Sequence, residues 1–299
     1  MKFRAHDTFF IRKGWISKGM RYVDKSKGEV FISKSENPMD VLGIGANMVK
    51  ALRYWLQAIG ITEEPKSGRR TQKFTDFGKL VFEHDKYIEE MGTLYLLHYK
   101  LASNREQATS WYFFFNEFGL SDFTKDDFAV QIGNFIKIND KDANVAARSI
   151  DDDFSCIINT YVPRYKTMPS KVTAENNIDC PLGELGLIDI LKKERNNIVY
   201  KKAIPPAATF NSWVILAVIY DNAKGRKEIE LNELLTAENN IGKTFNLDSI
   251  TMLDVLHAAE RTGELKIVRT AGLDVINLVH SYTFEDCVKH YYEEMEKAE

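Results

Sequence analysis

From Ala46 to Ile59 the apolar residues Met48, Val49, Leu52, Trp55, Leu56 and Ile59 recur every three or four positions, the spacing that lines one face of an α-helix. Ala46, Lys50, Arg53 and Gln57 fall on the other face. The helix is expected to end at Gly60, because glycine takes the left-handed conformation that closes a last turn without a Cβ clash. A shorter helix is expected before it: Asn37 can cap its first turn, Pro38 suits its first position, and Gly43-Ile44-Gly45 breaks it. Ile61-Thr62, a polar loop holding Lys66, Ser67, Gly68, Arg69 and Arg70, and the alternating Thr71 to Phe74 then read as a two-stranded hairpin. Thr75 is placed to cap a further helix. The order helix, glycine turn, basic helix, basic hairpin, helix predicts a winged helix-turn-helix.

Farther along, Glu89 to Ala102 is apolar nearly all round and predicts a buried helix with Thr93 as its cap. The run Trp111 to Phe118 reads as core, since consecutive aromatics are usually buried; its other use would be stacking on unpaired bases. The polar, charged stretch from Ser121 to Asp142 is expected to mark a boundary. After Asp151-Asp152-Asp153, Phe154 to Val162 predicts a short apolar strand or helix, and Pro163 to Asn177 an irregular polar segment. Pro205-Pro206 breaks the chain again. A buried helix is expected over Phe210 to Tyr220, and two more over Glu228 to Leu235 and Leu247 to Thr262, the last with Ile250, Leu253, Leu256 and Ala259 on one face. Leu265 to Arg269 and Asp274 to Leu278 alternate around Ala271-Gly272, a hairpin signal that makes a second winged-helix unit. The fold class expected is therefore mainly α with small β-hairpins (α+β), with tandem winged-helix-like units. Three divisions follow: a basic N-terminal winged-helix domain with buried helices over 1–125, a middle α+β region over 126–204, and a winged-helix-like domain over 205–299.

Length supports several units, because 299 residues exceed what one hydrophobic core usually serves. No stretch approaches the roughly 20 apolar residues of a membrane span. Charged residues stand where a signal peptide would be apolar, so the expected location is the cytoplasm. Cys156, Cys180 and Cys287 lack CxxC pairing and are expected to be reduced, buried thiols. Charge is the more telling quantity. Residues 1–73 hold 15 Lys or Arg against 7 Asp or Glu, and the rest of the chain carries about −11 within a total of −3.

A basic segment on an acidic body suits contact with phosphates, since cations that neutralise them release condensed counterions. Asn47, Lys50, Arg53 and Gln57 are the expected DNA-facing residues of the long helix, where Arg and Lys meet guanine edges or phosphates and Gln meets adenine. Lys66, Arg69, Arg70 and Lys73 of the hairpin would hold the backbone. Duplex DNA is thus the expected partner. In the second unit Asp248, Asp254, Glu260, Glu264 and Asp274 outweigh Lys266 and Arg269, which favours docking on a protein. Two alternatives remain open: an adaptor whose winged helices serve docking alone, and a metal-dependent nuclease built on His6-Asp7, His84-Asp85, Glu89-Glu90 or Asp151 to Asp153. No cofactor or metal site is nominated, because Gly43-Ile44-Gly45 lacks the rest of a nucleotide-binding loop and no three ligands have a telling spacing.

The segments His6-Asp7-Thr8-Phe9 with Arg12, Gly14, Trp15 and Lys18, Leu42 to Val49 running into Arg53-Tyr54-Trp55, Gly92 to Tyr99 and Pro181 to Ile188 together resemble the bacterial domain-of-unknown-function family 4007 over nearly the whole chain. Ala46 stands where that family commonly has a basic residue. Members tend to be encoded beside phage-defence genes, particularly those of DNA sulfur modification. The resemblance implies an accessory or specificity protein of such a system, working with its other proteins, and assigns no catalytic residue.

Overall fold

Left-handed Gly14 turns the chain into α1 (Trp15–Lys25), whose face of Trp15, Ile16, Gly19, Met20 and Val23 is buried. The computed structural model describes residues 1–163, 180–194, 197–270 and 273–298. Asn37 accepts the Met39 amide and Pro38 opens the short α2 (Pro38–Leu42), which Gly43 ends at φ 62°. Helix α3 (Ala46–Ala58) closes as a Schellman turn, with the Gly60 amide donating to Gln57 O at 3.1 Å and that of Ile61 to Leu56 O at 2.9 Å. Strands β1 (Thr62–Glu63) and β2 (Lys73–Phe74) pair antiparallel, and Thr75 caps α4 (Asp76–His84) by accepting the Gly78 amide. The hairpin is tied back to the loop after α1, where the Gln72 amide donates to Gly28 O at 3.0 Å. Gly28 sits at φ +84°, and a Cβ there would stand 1.9 Å from Gln72 O. Gly28→Ala is therefore expected to lower the unfolding free energy by about 2 kcal/mol through left-handed strain and displacement of β2. Urea unfolding would show it; a loss under about 0.5 kcal/mol would mean that the hairpin does not depend on this contact.

Helix α5 (Met91–Ala102) is buried almost throughout. Thr93 is not its cap. The helix begins two residues earlier, at Met91, and the Thr93 hydroxyl shares a buried hydrogen bond of 2.8 Å with the Tyr292 hydroxyl. Asp85 steadies the approach instead, its two carboxylate oxygens accepting the Glu89 and Glu90 amides at 2.9 and 3.1 Å.

The aromatic run forms α6 (Thr109–Tyr112) and a π-helical turn over Phe113–Glu117, with every side chain from Trp111 to Phe118 buried except Glu117. The polar stretch from Ser121 to Asp142 holds β3 (Asp122–Phe123) and α7 (Lys125–Asn139). Thr124 and Asp127 form a reciprocal capping box there, and Phe128, Ile132, Phe135 and Ile136 are buried. Helix α8 (Ala147–Tyr161) resolves the strand-or-helix question of Phe154 to Val162; the irregular segment expected after it lies, from residue 164, outside the described residues. Strands β4 (Ile188–Lys193) and β5 (Ile198–Lys202) complete a sheet of order β3-β5-β4.

After Pro205-Pro206 come α9 (Ser212–Ala223), β6 (Glu228–Glu230), α10 (Leu231–Thr236), α11 (Ile241–Thr244), α12 (Ser249–Glu260), β7 (Leu265–Thr270), β8 (Leu273–Leu278) and α13 (Phe284–Ala298). The helix expected from Glu228 thus begins with a strand, because Ile229 pairs with Ile276 of β8. On α12 the inward residues are Met252, Val255, Leu256 and Ala259, while Ile250 is 70% exposed. The face read from the sequence was rotated by part of a turn. This sheet has the order β6-β8-β7. The segment from α6 to β5 and the segment from α9 to β8 therefore repeat one plan, in which a helix and strand precede two or more helices and a hairpin, and the first strand pairs with the last.

One continuous apolar core runs from Ile11 to Tyr292, making a mainly helical α+β molecule with small antiparallel sheets. Among the described residues no helix is long and apolar enough to cross a membrane. The three cysteines are buried. Two polar groups join elements distant in sequence. His98 of α5 bonds the Tyr161 hydroxyl of α8 and Thr244 O of α11 at 2.7 and 2.8 Å. Lys202 of β5 donates from Nζ to Phe114 O and Phe118 O at 2.8 and 2.6 Å, and burial pulls its pKa down to about 7.

Candidate nucleic-acid interface

Between α3 and the loop joining β1 to β2 lies a cleft of about 440 Å³, lined by Lys2, Lys50, Arg53, Lys66 and Arg70 with a single acid, Glu64. Gln57, Gln107, Tyr54 and Pro65 complete its walls. The α3 periodicity dictates this arrangement: Leu52, Trp55 and Leu56 turn into the core, which leaves Lys50, Arg53 and Gln57 beside the loop.

Glu64 organises the cleft. Its carboxylate takes Arg53 bidentately, Nε at 2.6 Å and the terminal nitrogen at 2.9 Å, and it also accepts Gln57 Nε2 at 3.2 Å. The same guanidinium donates to Arg70 O at 3.2 Å. Gln72, 1% exposed, donates to Arg53 O at 2.8 Å. A fork-to-fork pair of this kind is both strong and directional. Arg53 thus fixes the loop against α3, and its own fork is directed to Glu64.

Lys50, Lys66 and Arg70 are exposed. Among the described residues no carboxylate lies within ion-pair distance of them. Lys2 is exposed as well; partial burial lowers its pKa, the Glu64 charge opposes that shift and the Arg70 charge adds to it.

The cleft gathers Lys50, Arg53, Gln57, Lys66 and Arg70 of the residues nominated from sequence, and it leaves three out. Asn47 is exposed on the first turn of α3, outside the lining. Arg69 points to the other side of the loop, 2.9 Å from Glu29. Lys73 borders a separate cleft shared with Asp24, Glu63 and Asp76. Lys2 was not foreseen, because it reaches the cleft through a contact with Gln107 more than a hundred residues away.

Four other clefts among the described residues have no such excess. One between α8 and the β4–β5 hairpin sets Lys125 and Lys193 against Asp126 and Glu194, and the remaining three hold at least as many acids as cations.

The His-Asp and acidic groups considered for metal chemistry are spread through the fold. His6 is fully buried against Asp153. His84 bonds Glu296 at 2.8 Å and stacks on Tyr292. Asp85 is occupied by backbone amides, Asp151 by Lys125 and Asp152 by Arg4. Among the described residues no three His, Cys, Asp or Glu side chains converge as metal ligands.

A family model described as protein of unknown function (DUF4007) matches residues 3–292. A crystal structure of SspB is similar to this fold with a TM-score of 0.83 at 25% identity, covering 99% of this chain and 88% of that one. A magnesium ion-bound crystal structure of SspB gives a TM-score of 0.79, also at 25% identity, covering 99% of this chain and 96% of that one. Comparison with curated proteins finds no match.

Proposed function

Because the chain belongs to the DUF4007 family, we propose that it is a DNA-binding accessory or specificity protein of a bacterial phage-defence or DNA sulfur-modification system, gripping duplex DNA with its N-terminal unit. The observation that carries this reading is the α3 cleft: five cationic side chains against one acid, with Lys50, Lys66 and Arg70 exposed. Helix α3 and its hairpin serve in this reading as recognition helix and wing. The segments from α6 to β5 and from α9 to β8, with their shared strand order, are further winged helices in this reading. Phosphate contact is favoured over base stacking because the cleft's aromatic residue, Tyr54, is buried at 7% exposure.

Arg53 holds the loop in this scheme, and Lys50, Lys66 and Arg70 meet phosphates. Replacing those three by Gln is expected to weaken binding to a 30-base-pair duplex roughly 100-fold near 0.15 M salt and to reduce the slope of log K against log salt by about 3. Fluorescence anisotropy across a salt series measures both, and a triple variant with the wild-type slope would remove the cleft from any DNA contact.

Docking on a protein suits the last unit, where Ile250 stands exposed on α12 near Asp254, His257 and Glu260. A metal-dependent nuclease is the second reading, and the observation that favours it is that a similar fold, SspB, has a magnesium ion-bound structure. Against it, Asp151, Asp152 and Asp85 are engaged with Lys125, Arg4 and backbone amides, and among the described residues no three ligands converge.

A further inference from the structure

Lys2 enters the cleft because the segment before α1 is pinned at several points. Its backbone amide donates to Thr109 Oγ1 of α6 at 2.8 Å. Two residues on, the Arg4 amide donates to Asp153 Oδ1 of α8 at 2.8 Å, and the Arg4 guanidinium pairs with Asp152 at 2.7 Å. His6 Nε2 lies 2.7 Å from Asp153 Oδ1, and the Ser110 hydroxyl donates to Asp153 Oδ2 at 2.5 Å. The His6 imidazole, fully buried, stacks on Trp55 of α3 with centroids 6.0 Å apart. Residues 2–6 thus form a strap fastened to α6 and α8 and pressed against α3.

At the end of that strap Lys2 Nζ donates to Gln107 Oε1 at 2.8 Å and lies 5.7 Å from the centre of the Tyr54 ring. Lys50 and Arg70 line the same cleft. An ammonium has three N–H donors, and the Gln107 bond engages one. Its only acidic neighbour in the cleft lining, Glu64, is already held by Arg53 and Gln57. Lys2 is exposed, so its remaining donors stay open, and a phosphate oxygen arriving in the cleft would find the ammonium accessible and already in position.

We infer that Lys2 is a phosphate-contacting residue of the α3 cleft, delivered to the DNA backbone by a strap that Thr109 and Asp153 hold in place. The inference rests on the DNA-binding reading and adds a contact from outside the helix and hairpin. Thr109 and Asp153 are positioning residues that act through Lys2.

Lys2→Gln in the full chain, titrated with the same duplex between 0.05 and 0.3 M salt, is expected to weaken binding about 5-fold near 0.15 M and to lower the salt slope by about 1. Thr109→Val removes the acceptor of the Lys2 amide and leaves every charge in place. It is expected to lower the slope by part of the Lys2→Gln change, which loosened packing alone would not do. A wild-type slope for Lys2→Gln, with the Lys50, Lys66 and Arg70 triple variant reduced by about 3, overturns the assignment of Lys2 and leaves the DNA reading intact. A wild-type slope for both overturns the two together. If Thr109→Val keeps the wild-type slope while Lys2→Gln loses about 1, the strap has no positioning role.

Discussion

Asp153→Ala is expected to reduce the unfolding free energy by about 4 kcal/mol, among the largest losses a single substitution in this chain should cause. Asp153 is 1% exposed and receives the Arg4 amide, the His6 ring and the Ser110 hydroxyl. Its removal leaves all three without that acceptor inside the core, where each stranded polar group costs about 1–3 kcal/mol. Relaxation cannot rehydrate His6, whose ring is held between Trp55 and Trp111 at centroid distances of 6.0 and 5.7 Å. Asp153→Asn keeps one oxygen and the side-chain shape, so its loss should be about half as large. Urea unfolding followed by tryptophan fluorescence reports on this region directly, because both rings flank the network. A loss below about 1 kcal/mol for the alanine variant would mean that water replaces the carboxylate, and the strap would then have no buried anchor.

That network also marks where sequence reading stopped. Caps and glycines act within a few residues of their helix, so Asn37, Gly60 and Thr75 could be placed correctly from spacing alone. The stripe of α3 and the basic loop beside it were legible for the same reason. Helix α7 escapes a reading by spacing because it opens on the charged run Lys125-Asp126-Asp127, although the Thr124 and Asp127 capping box was there to be found. Strand β6 was taken for helix because three residues show no period; it is a strand only because β8 lies beside it.

The cleft was legible in part. Sequence could say that Lys50, Arg53 and Gln57 share a face and that the loop is basic, but not where the loop folds. Arg53 and Glu64 meet across 11 residues, and that pairing turns an expected DNA contact into a clamp. Arg69 and Arg70 are neighbours in sequence and point to opposite sides, one to Glu29 and the other to the cleft. Adjacent residues in an irregular loop carry no periodicity from which such a divergence could be read. Lys2 and the Asp153 anchor are separated by about 150 positions, and only the folded chain brings them into one structure.

His98 should make the fold progressively less stable as pH falls from about 6.5 to about 4. Its Nε2 is 2.8 Å from Thr244 O, a carbonyl that can only accept, so Nε2 carries the proton. Nδ1 is then bare in the neutral ring and accepts the Tyr161 hydroxyl at 2.7 Å. Burial drives the pKa of His98 down to about 4, opposed by the hydrogen bond to Thr244. In the unfolded chain the imidazole titrates near its ordinary value of about 6.5. Between these two values the unfolded state binds a proton that the folded state refuses, so acid favours unfolding. The loss reaches about 2 kcal/mol at pH 5 and about 3 kcal/mol at pH 4, and none of it is present above pH 7. His98→Gln keeps an N–H for Thr244 and an oxygen for Tyr161 but cannot titrate. The difference in unfolding free energy between wild type and this variant, followed from pH 7.5 to 4.5, should therefore shrink by about 2 kcal/mol or more in the variant's favour as acid is added. A difference that does not change with pH would mean that the folded protein accepts the proton on His98 readily, and that α5, α8 and α11 are not locked together through a neutral imidazole.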